Sequence, residues 1–151
     1  MKALDNLDKK ILNRIQSDFP LTSRPYLNIA EDLGISEKEV LSKVTRLKNS
    51  GIIRRIGGNF VPHKIGFVST LCAAKVPEDK VAKFARVVNG YPGVTHNYRR
   101  DNAFNIWFTF IAPTMQEIEK NLESISRETG ITDLLNLPAT KVFKIKAQFD
   151  L

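Results

Sequence analysis

The sequence predicts an α+β fold in two parts, a helical first part and a mixed second part. Between residues 7 and 47, apolar side chains recur at helical spacing in three short segments, and a glycine-containing strand pair follows them. From residue 66 onward the patterns alternate in the order β-α-β-β-α-β. We therefore predict a winged helix-turn-helix domain over residues 1–62 and a ferredoxin-like βαββαβ domain over residues 63–151.

The first three predicted elements are helices with recognisable ends. Apolar residues at helical spacing predict a first helix that ends near residue 19. The second helix covers about residues 25–33, and Gly34 marks its end. Ser36 and Glu39 form a capping-box sequence that opens the third helix, which would be the recognition helix of a helix-turn-helix.

A β-wing is predicted directly after these helices. Residues 52–61 contain two apolar runs separated by Gly57 and Gly58, a pattern typical of two strands around a tight turn. Two adjacent arginines, Arg54 and Arg55, lie in the first of these runs. Helix, turn, helix and wing together predict the winged helix-turn-helix.

The second part is predicted to contain a sheet with helices on one side. A strand at 66–76, a helix after Pro77, a hairpin at 94–112, a helix opened by Thr114 with Glu117, and closing strands at 131–137 and 140–149 complete the βαββαβ order. Because both helices cover the same face of such a sheet, its other face must meet a partner, a ligand or water.

The predicted hairpin carries most of the chemistry in this sequence. If Asp101 and Asn102 form a two-residue turn, Arg100 pairs with Ala103, and the further pairs are Tyr98 with Asn105 and His96 with Trp107. These side chains then share one face, whereas a three-residue loop would shift the register and scatter them. A strand pair that shows this face to solvent is the alternative. Tryptophan and tyrosine fit it poorly, because exposed aromatic surface is usually covered.

Composition limits the function classes without choosing among them. The net charge is +7, and residues 1–64 carry 12 Lys and Arg against 7 Asp and Glu, an excess that suits nucleic acid or a polycarboxylate ligand. Cys72 is the only cysteine, so an internal disulfide framework is excluded, and we expect it to be a packed hydrophobic residue. We expect no membrane span and no signal peptide, and therefore a cytoplasmic location.

A winged helix-turn-helix followed by a βαββαβ module resembles the AsnC/Lrp regulator architecture over nearly the whole chain. This resemblance implies that the second module is a ligand-binding and oligomerisation domain. The hairpin is more specific. It resembles the siroheme decarboxylases of the alternative heme pathway through His96-Asn97-Tyr98-Arg99-Arg100 and Asn105-Ile106-Trp107-Phe108, and the wing sequence around Arg54 and Arg55 is similar too.

The siroheme decarboxylase resemblance implies a carboxy-lyase that removes two acetate carboxyls of siroheme as CO₂ and yields didecarboxysiroheme. The macrocycle itself can accept the electron pair, so no cofactor is implied beyond the iron tetrapyrrole substrate. The resemblance also implies a homologous partner subunit, in a heterodimer or a larger oligomer. Proteins of this family often have a second histidine where this chain has Asp101-Asn102, which leaves open whether this chain holds a full active site or the partner supplies decisive groups.

Candidate site residues follow from these patterns and from side-chain chemistry. We assign His96 and Tyr98 as catalytic candidates, and His96 is either a general acid–base or an axial ligand of the substrate iron. The substrate-binding candidates are Arg54, Arg55, Asn97, Arg99, Arg100, Asn105 and Trp107. Two choices stay open: whether Arg99 or Arg100 faces the ligand, and whether Trp107 stacks on the macrocycle or packs in a subunit interface.

A DNA-binding regulator of AsnC/Lrp type, responsive to heme or a precursor, is the alternative function. Together with the wing arginines, the basic residues on or near the recognition helix would neutralise phosphates: Lys38, Lys43, Arg46 and Lys48. Glu37 and Glu39 near the start of the recognition helix argue against this reading, because they would repel phosphate.

Overall fold

The computed structural model describes residues 4–144 and 148–151, which form two compact units. The helical unit comprises the described residues of 1–58 and 144–151, and the α+β unit comprises residues 59–143. This division differs from the predicted domains, 1–62 and 63–151, in that the last residues belong with the helices. Hydrogen bonds explain the difference: the Gln16 side chain pairs with both backbone groups of Phe149, at 2.6 and 3.0 Å, and Asn13 donates to the Leu151 carbonyl at 3.1 Å.

Three helices build the helical unit: α1 (Asn6–Ser17), α2 (Pro25–Leu33) and α3 (Glu37–Asn49). The predicted end signals are confirmed at Gly34, which has a left-handed conformation after α2, and at Ser36, whose hydroxyl accepts from the Glu39 amide. Apolar faces of all three helices meet in one core around Ile11, Ile29 and Leu47.

The predicted wing strands are not formed. Residues 52–61 contain no strand, and the reason lies at the end of α3. The amides of Ile52 and Ile53 both donate to the Leu47 carbonyl, at 3.0 and 3.1 Å, so they close the helix C-terminus instead of joining a ladder.

The α+β unit confirms the ferredoxin-like prediction. Its elements are β1 (Val68–Ala74), α4 (Val81–Asn89), β2 (Val94–Arg99), β3 (Ile106–Ala112), α5 (Met115–Thr129) and β4 (Leu134–Pro138). The four strands form one antiparallel sheet in the order β2-β3-β1-β4. Short 3₁₀ turns precede β1 at Pro62–Ile65 and α4 at Glu78–Lys80.

The last predicted strand, at 140–149, is not present in the described residues. Positions 140–144 and 148–149 have no strand conformation, and 145–147 lie outside the described residues. Two local causes are visible. Pro138, which has no backbone N–H to donate, ends β4, and the backbone at Phe149 is bonded to α1.

The two faces of the sheet differ sharply. One face packs on α4 and α5, with Phe84, Phe108 and Phe110 fully buried there. Cys72 lies in the same core and is therefore the packed residue that the sequence predicts. Its burial raises the pKa of its thiol to about 12. The opposite face, called the open face below, carries Leu71, His96, Tyr98, Trp107, Thr109, Leu135 and Leu137.

Across the described residues, no helix is both long enough and apolar enough to cross a membrane.

Candidate active site on the β2–β3 hairpin

The hairpin has a longer loop than predicted, yet its faces are the predicted ones. Tyr98 pairs with Trp107 and His96 with Thr109, and the Arg100 amide donates to the Asn105 carbonyl at 2.8 Å. The predicted pairs Tyr98–Asn105 and His96–Trp107 are therefore wrong by two residues. Because side chains alternate with a period of two, a shift of two leaves every side chain on its predicted face.

His96 and Tyr98 form the polar edge of the open face. Their rings are stacked, with centroids 6.0 Å apart and planes 24° apart. The Thr95 hydroxyl lies 3.1 Å from His96 Nδ1 and orients the imidazole. Both rings are exposed on β2, an outer strand of the sheet, so the imidazole and the phenol are accessible together.

Arg100 and Trp107 form the second part of the open-face cluster. The Arg100 guanidinium carbon lies 5.8 Å from the Trp107 ring centroid, within the range of a cation–π contact. The Trp107 indole N–H donates to the Phe104 carbonyl at 2.6 Å, which ties the ring to the hairpin loop. Within the described residues Arg100 has no carboxylate partner, so its charge is available to an anion.

The two arginines of the open choice differ in their contacts. Arg99 makes a two-pronged pair with Glu78, with nitrogen–oxygen distances of 2.7 and 2.9 Å. It pairs in the ladder with buried Ile106, so it is on the helix side of the sheet. Asn97 is on that side too, where its amide donates to Asn89 at the end of α4 at 2.9 Å. Arg100 is therefore the arginine that shares a face with His96.

Asn105 binds the chain itself. Its Nδ2 donates to the Val76 carbonyl at 2.8 Å, and its Oδ1 accepts from the Val76 amide at 2.9 Å. Sequence reasoning missed Val76 and Glu78 as partners of the hairpin. No local signal could have revealed them, because their proximity depends on β1 lying next to β3.

The wing arginines belong to the helical unit. Arg54 and Arg55 are both exposed there, and within the described part of the chain neither makes an ion pair.

On the α+β unit, a surface depression of about 450 Å³ is lined by Arg99, Arg100, Asp101, Asn102 and Asn105. The hairpin thus presents its arginines around one solvent-open hollow.

The recognition helix offers less positive charge than its sequence indicates. Lys43 and Arg46 on α3 both contact Asp8 of α1, a carboxylate that is 1% exposed. Burial acts to raise the pKa of Asp8, but the hydrogen bonds from Arg46, the Asp5 amide and Lys43 together lower it, so the group is a carboxylate at neutral pH. Lys43 also donates to Asp5 at 2.7 Å. Two cations that would meet phosphate are therefore neutralised inside this unit.

Comparison with known proteins identifies the family. The AsnC-like ligand binding domain matches residues 64–144, and the siroheme decarboxylase NirDL-like HTH domain matches residues 8–54. The siroheme decarboxylase alpha subunit of Desulfovibrio desulfuricans is 52% identical over 97% of this chain and 84% of its own length. The chain belongs to the siroheme decarboxylase family. This result favours the enzyme over the DNA-binding regulator.

Two solved structures of this family match the fold. The crystal structure of the siroheme decarboxylase NirDL has a TM-score of 0.70 and 35% identity and covers 97% of this chain. A second NirDL structure, in co-complex with an iron-uroporphyrin III analogue, has a TM-score of 0.68 and 33% identity over 94% of this chain. This chain spans about half of either NirDL chain, 48% in both cases.

Proposed function

We propose that this chain is one subunit of a siroheme decarboxylase, which removes two acetate carboxyls of siroheme as CO₂ to give didecarboxysiroheme. The single observation that carries the proposal is the open-face cluster in a member of this family: an exposed imidazole and phenol beside an arginine with no carboxylate partner among the described residues. A flat, anionic iron tetrapyrrole matches that surface in shape and charge.

Each decarboxylation needs one proton and no redox change. The bond between the acetate methylene and its carboxylate breaks, CO₂ leaves, and the electron pair passes into the conjugated macrocycle. A proton delivered to the exocyclic carbon then completes the methyl group. We assign this proton delivery to His96 and Tyr98, because an imidazole and a phenol can serve as proton donors and their rings lie together. No redox cofactor enters the proposal.

Binding is assigned to the charged and aromatic parts of the same face. Arg100 forms a two-pronged contact with a carboxylate that is retained, and Trp107 supports the macrocycle at the base of the hairpin. Because Arg99 is paired with Glu78, it contributes less to substrate binding than Arg100 does. The wing arginines remain candidates for the other carboxylates.

A homologous subunit completes the enzyme in this proposal. Leu71, Leu135 and Leu137 are exposed by 42%, 38% and 41% beside the catalytic cluster, an apolar surface that a partner would cover. The relatives named as alpha subunits, and the doubled length of the NirDL chains, support a working unit of two such modules. A cytoplasmic location is part of the same proposal.

The test combines absorbance with product mass. Siroheme is added anaerobically to the chain alone and to the chain with its homologous subunit, and the Soret band and the product mass are followed. We expect a Soret shift and the loss of two carboxyls in the paired sample. A shift without mass loss in both samples, or salt-sensitive binding to promoter DNA with no shift, contradicts the proposal.

His96 is tested against the other histidine of the chain. We expect His96→Ala to lower turnover by about 100-fold, because general acid–base groups contribute about 10²–10⁴-fold to the rate. If His96 binds the substrate iron instead, the variant should weaken the Soret shift. His63→Ala, an exposed histidine in the turn before β1, is the matched control and should leave both readouts unchanged. Equal effects of the two variants would remove His96 from the site.

A further inference from the structure

The turn between β1 and α4 holds the candidate hairpin through two separate side-chain contacts. At Val76, its second residue, both backbone groups are bonded to the Asn105 side-chain amide at 2.8 and 2.9 Å. The last ladder pair of these strands is Ala74 with Ile106, so the Asn105 side chain continues the β1–β3 ladder where the backbone pairing stops. An amide side chain can do this because it has the donor and the acceptor of a peptide group.

The second contact lies two residues further along the same turn. Glu78 binds both terminal nitrogens of Arg99, at 2.7 and 2.9 Å. Its partner is the last residue of β2, directly before Arg100. The turn therefore holds the hairpin at both strand ends that flank the loop, on β3 through Asn105 and on β2 through Arg99.

These contacts determine where Arg100 lies. The Arg100 amide donates to the Asn105 carbonyl at 2.8 Å, so a displacement of Asn105 displaces Arg100 with it. The indole of Trp107 donates to the carbonyl of Phe104, the residue directly before Asn105, at 2.6 Å. Asn105 is therefore connected to both groups of the Arg100–Trp107 contact. It accepts a hydrogen bond from the Arg100 amide, and it is covalently bonded to Phe104, whose carbonyl accepts from the Trp107 indole.

We propose that Asn105 is a positioning residue for the decarboxylase site, and that it acts through Val76 to hold Arg100 over Trp107 and does not bind substrate itself. Glu78 has the same role, with a smaller effect, because its pair with Arg99 is exposed. The inference rests on the proposed function only for its turnover readout. The geometry that it describes belongs to the chain without substrate.

The first experiment uses the intrinsic fluorescence of Trp107, the only tryptophan in the chain. We expect Asn105→Ala to shift the emission to longer wavelength and to increase quenching by acrylamide, because the loop loses its anchor. Glu78→Gln should produce a smaller shift in the same direction. Asn121→Ala, on α5 outside the hairpin, is the matched control and should change neither. Far-UV circular dichroism checks that each variant is folded.

The second experiment is a double-mutant cycle on kcat/KM for siroheme, measured with the homologous subunit present. A displaced Arg100 cannot contribute to substrate binding, so Asn105→Ala should lower kcat/KM by about 10- to 100-fold. Adding Arg100→Ala to the Asn105→Ala variant should then lower kcat/KM little further. Additive losses would mean that Asn105 contacts the substrate on its own, and would overturn the inference.

The two arms separate failure of the inference from failure of the proposed function. Unchanged Trp107 emission in Asn105→Ala overturns the positioning role whatever the substrate is. Changed emission with no siroheme turnover by the unmutated chain and its partner keeps the positioning role and overturns the proposed function instead.

Discussion

Lys43 and Arg46 of the helical unit and Arg100 of the α+β unit are used in opposite ways. In the helical unit, Lys43 and Arg46 of α3 are turned onto the buried carboxylate of Asp8. In the α+β unit, Arg100 has no carboxylate partner among the described residues and lies over the Trp107 ring. A unit with the helix order of a DNA-binding module therefore uses these two cations for its own cohesion, whereas the hairpin keeps one available for an anion.

This contrast explains why net charge was a poor guide to function. The first 64 residues contain most of the basic excess, which suited nucleic acid and a polycarboxylate ligand equally well. A paired charge acts less on a ligand, and the carboxylates of Asp5 and Asp8 together offset the charges of Lys43 and Arg46 locally. The total charge includes basic residues that are already paired, so by itself it does not indicate a ligand site.

The largest expected effect is at the unpaired arginine. Arg100→Ala should lower kcat/KM for siroheme by about 100-fold, because the loss of a charge-assisted hydrogen bond costs about 1.5–3 kcal/mol. Arg86→Ala, an exposed arginine on α4, is the control and should leave kcat/KM unchanged. Steady-state kinetics with the homologous subunit measure both. Equal losses would show that the hairpin charge has no special role.

A smaller effect is expected at the buried carboxylate. Asp8→Ala should lower the free energy of unfolding by about 2–3 kcal/mol, since it takes from Arg46 its carboxylate partner and from Lys43 one of its two. Urea unfolding followed by circular dichroism measures the change. Asp18→Ala removes a carboxylate whose side chain is 82% exposed and should have little effect. An unaffected Asp8→Ala variant would mean that the contacts of Asp8 with Lys43 and Arg46 do not stabilise the helical unit.

The smallest effect concerns acid. The folded-state pKa of Asp8 lies below its ordinary value of 3.8, so its contribution to stability is complete above the ordinary value and is lost as the pH falls through the lowered pKa. Urea unfolding measured from pH 6 downward should show stability falling below about pH 4. Asp8→Asn should be less stable at pH 6 and should flatten this acid dependence. A parallel dependence in both proteins would assign the acid sensitivity to other carboxylates.

Much of the fold could be predicted from local patterns. The ends of α2 and α3 follow from Gly34 and Ser36, and the βαββαβ order follows from alternating periods of apolar residues. The wing strands were predicted and are absent, because the Ile52 and Ile53 amides close the end of α3. The closing strand at 140–149 was also predicted, and its described residues show none. Both errors arise where a backbone group has a competing partner that is not visible in a strand pattern.

By itself, the sequence determined which side chains share the open face. Side chains alternate between the two faces along each strand, and this alternation puts four of them on the same face: His96, Tyr98, Arg100 and Trp107. A loop longer by two residues does not change this strand parity. Tertiary structure alone decided which of these groups are free to act. Arg99 is paired because folding brings the carboxylate of Glu78 against its guanidinium. Asn105 is bound to Val76 because β1 lies beside β3. Strand parity is a property of consecutive residues, whereas pairing depends on neighbours that only folding brings together.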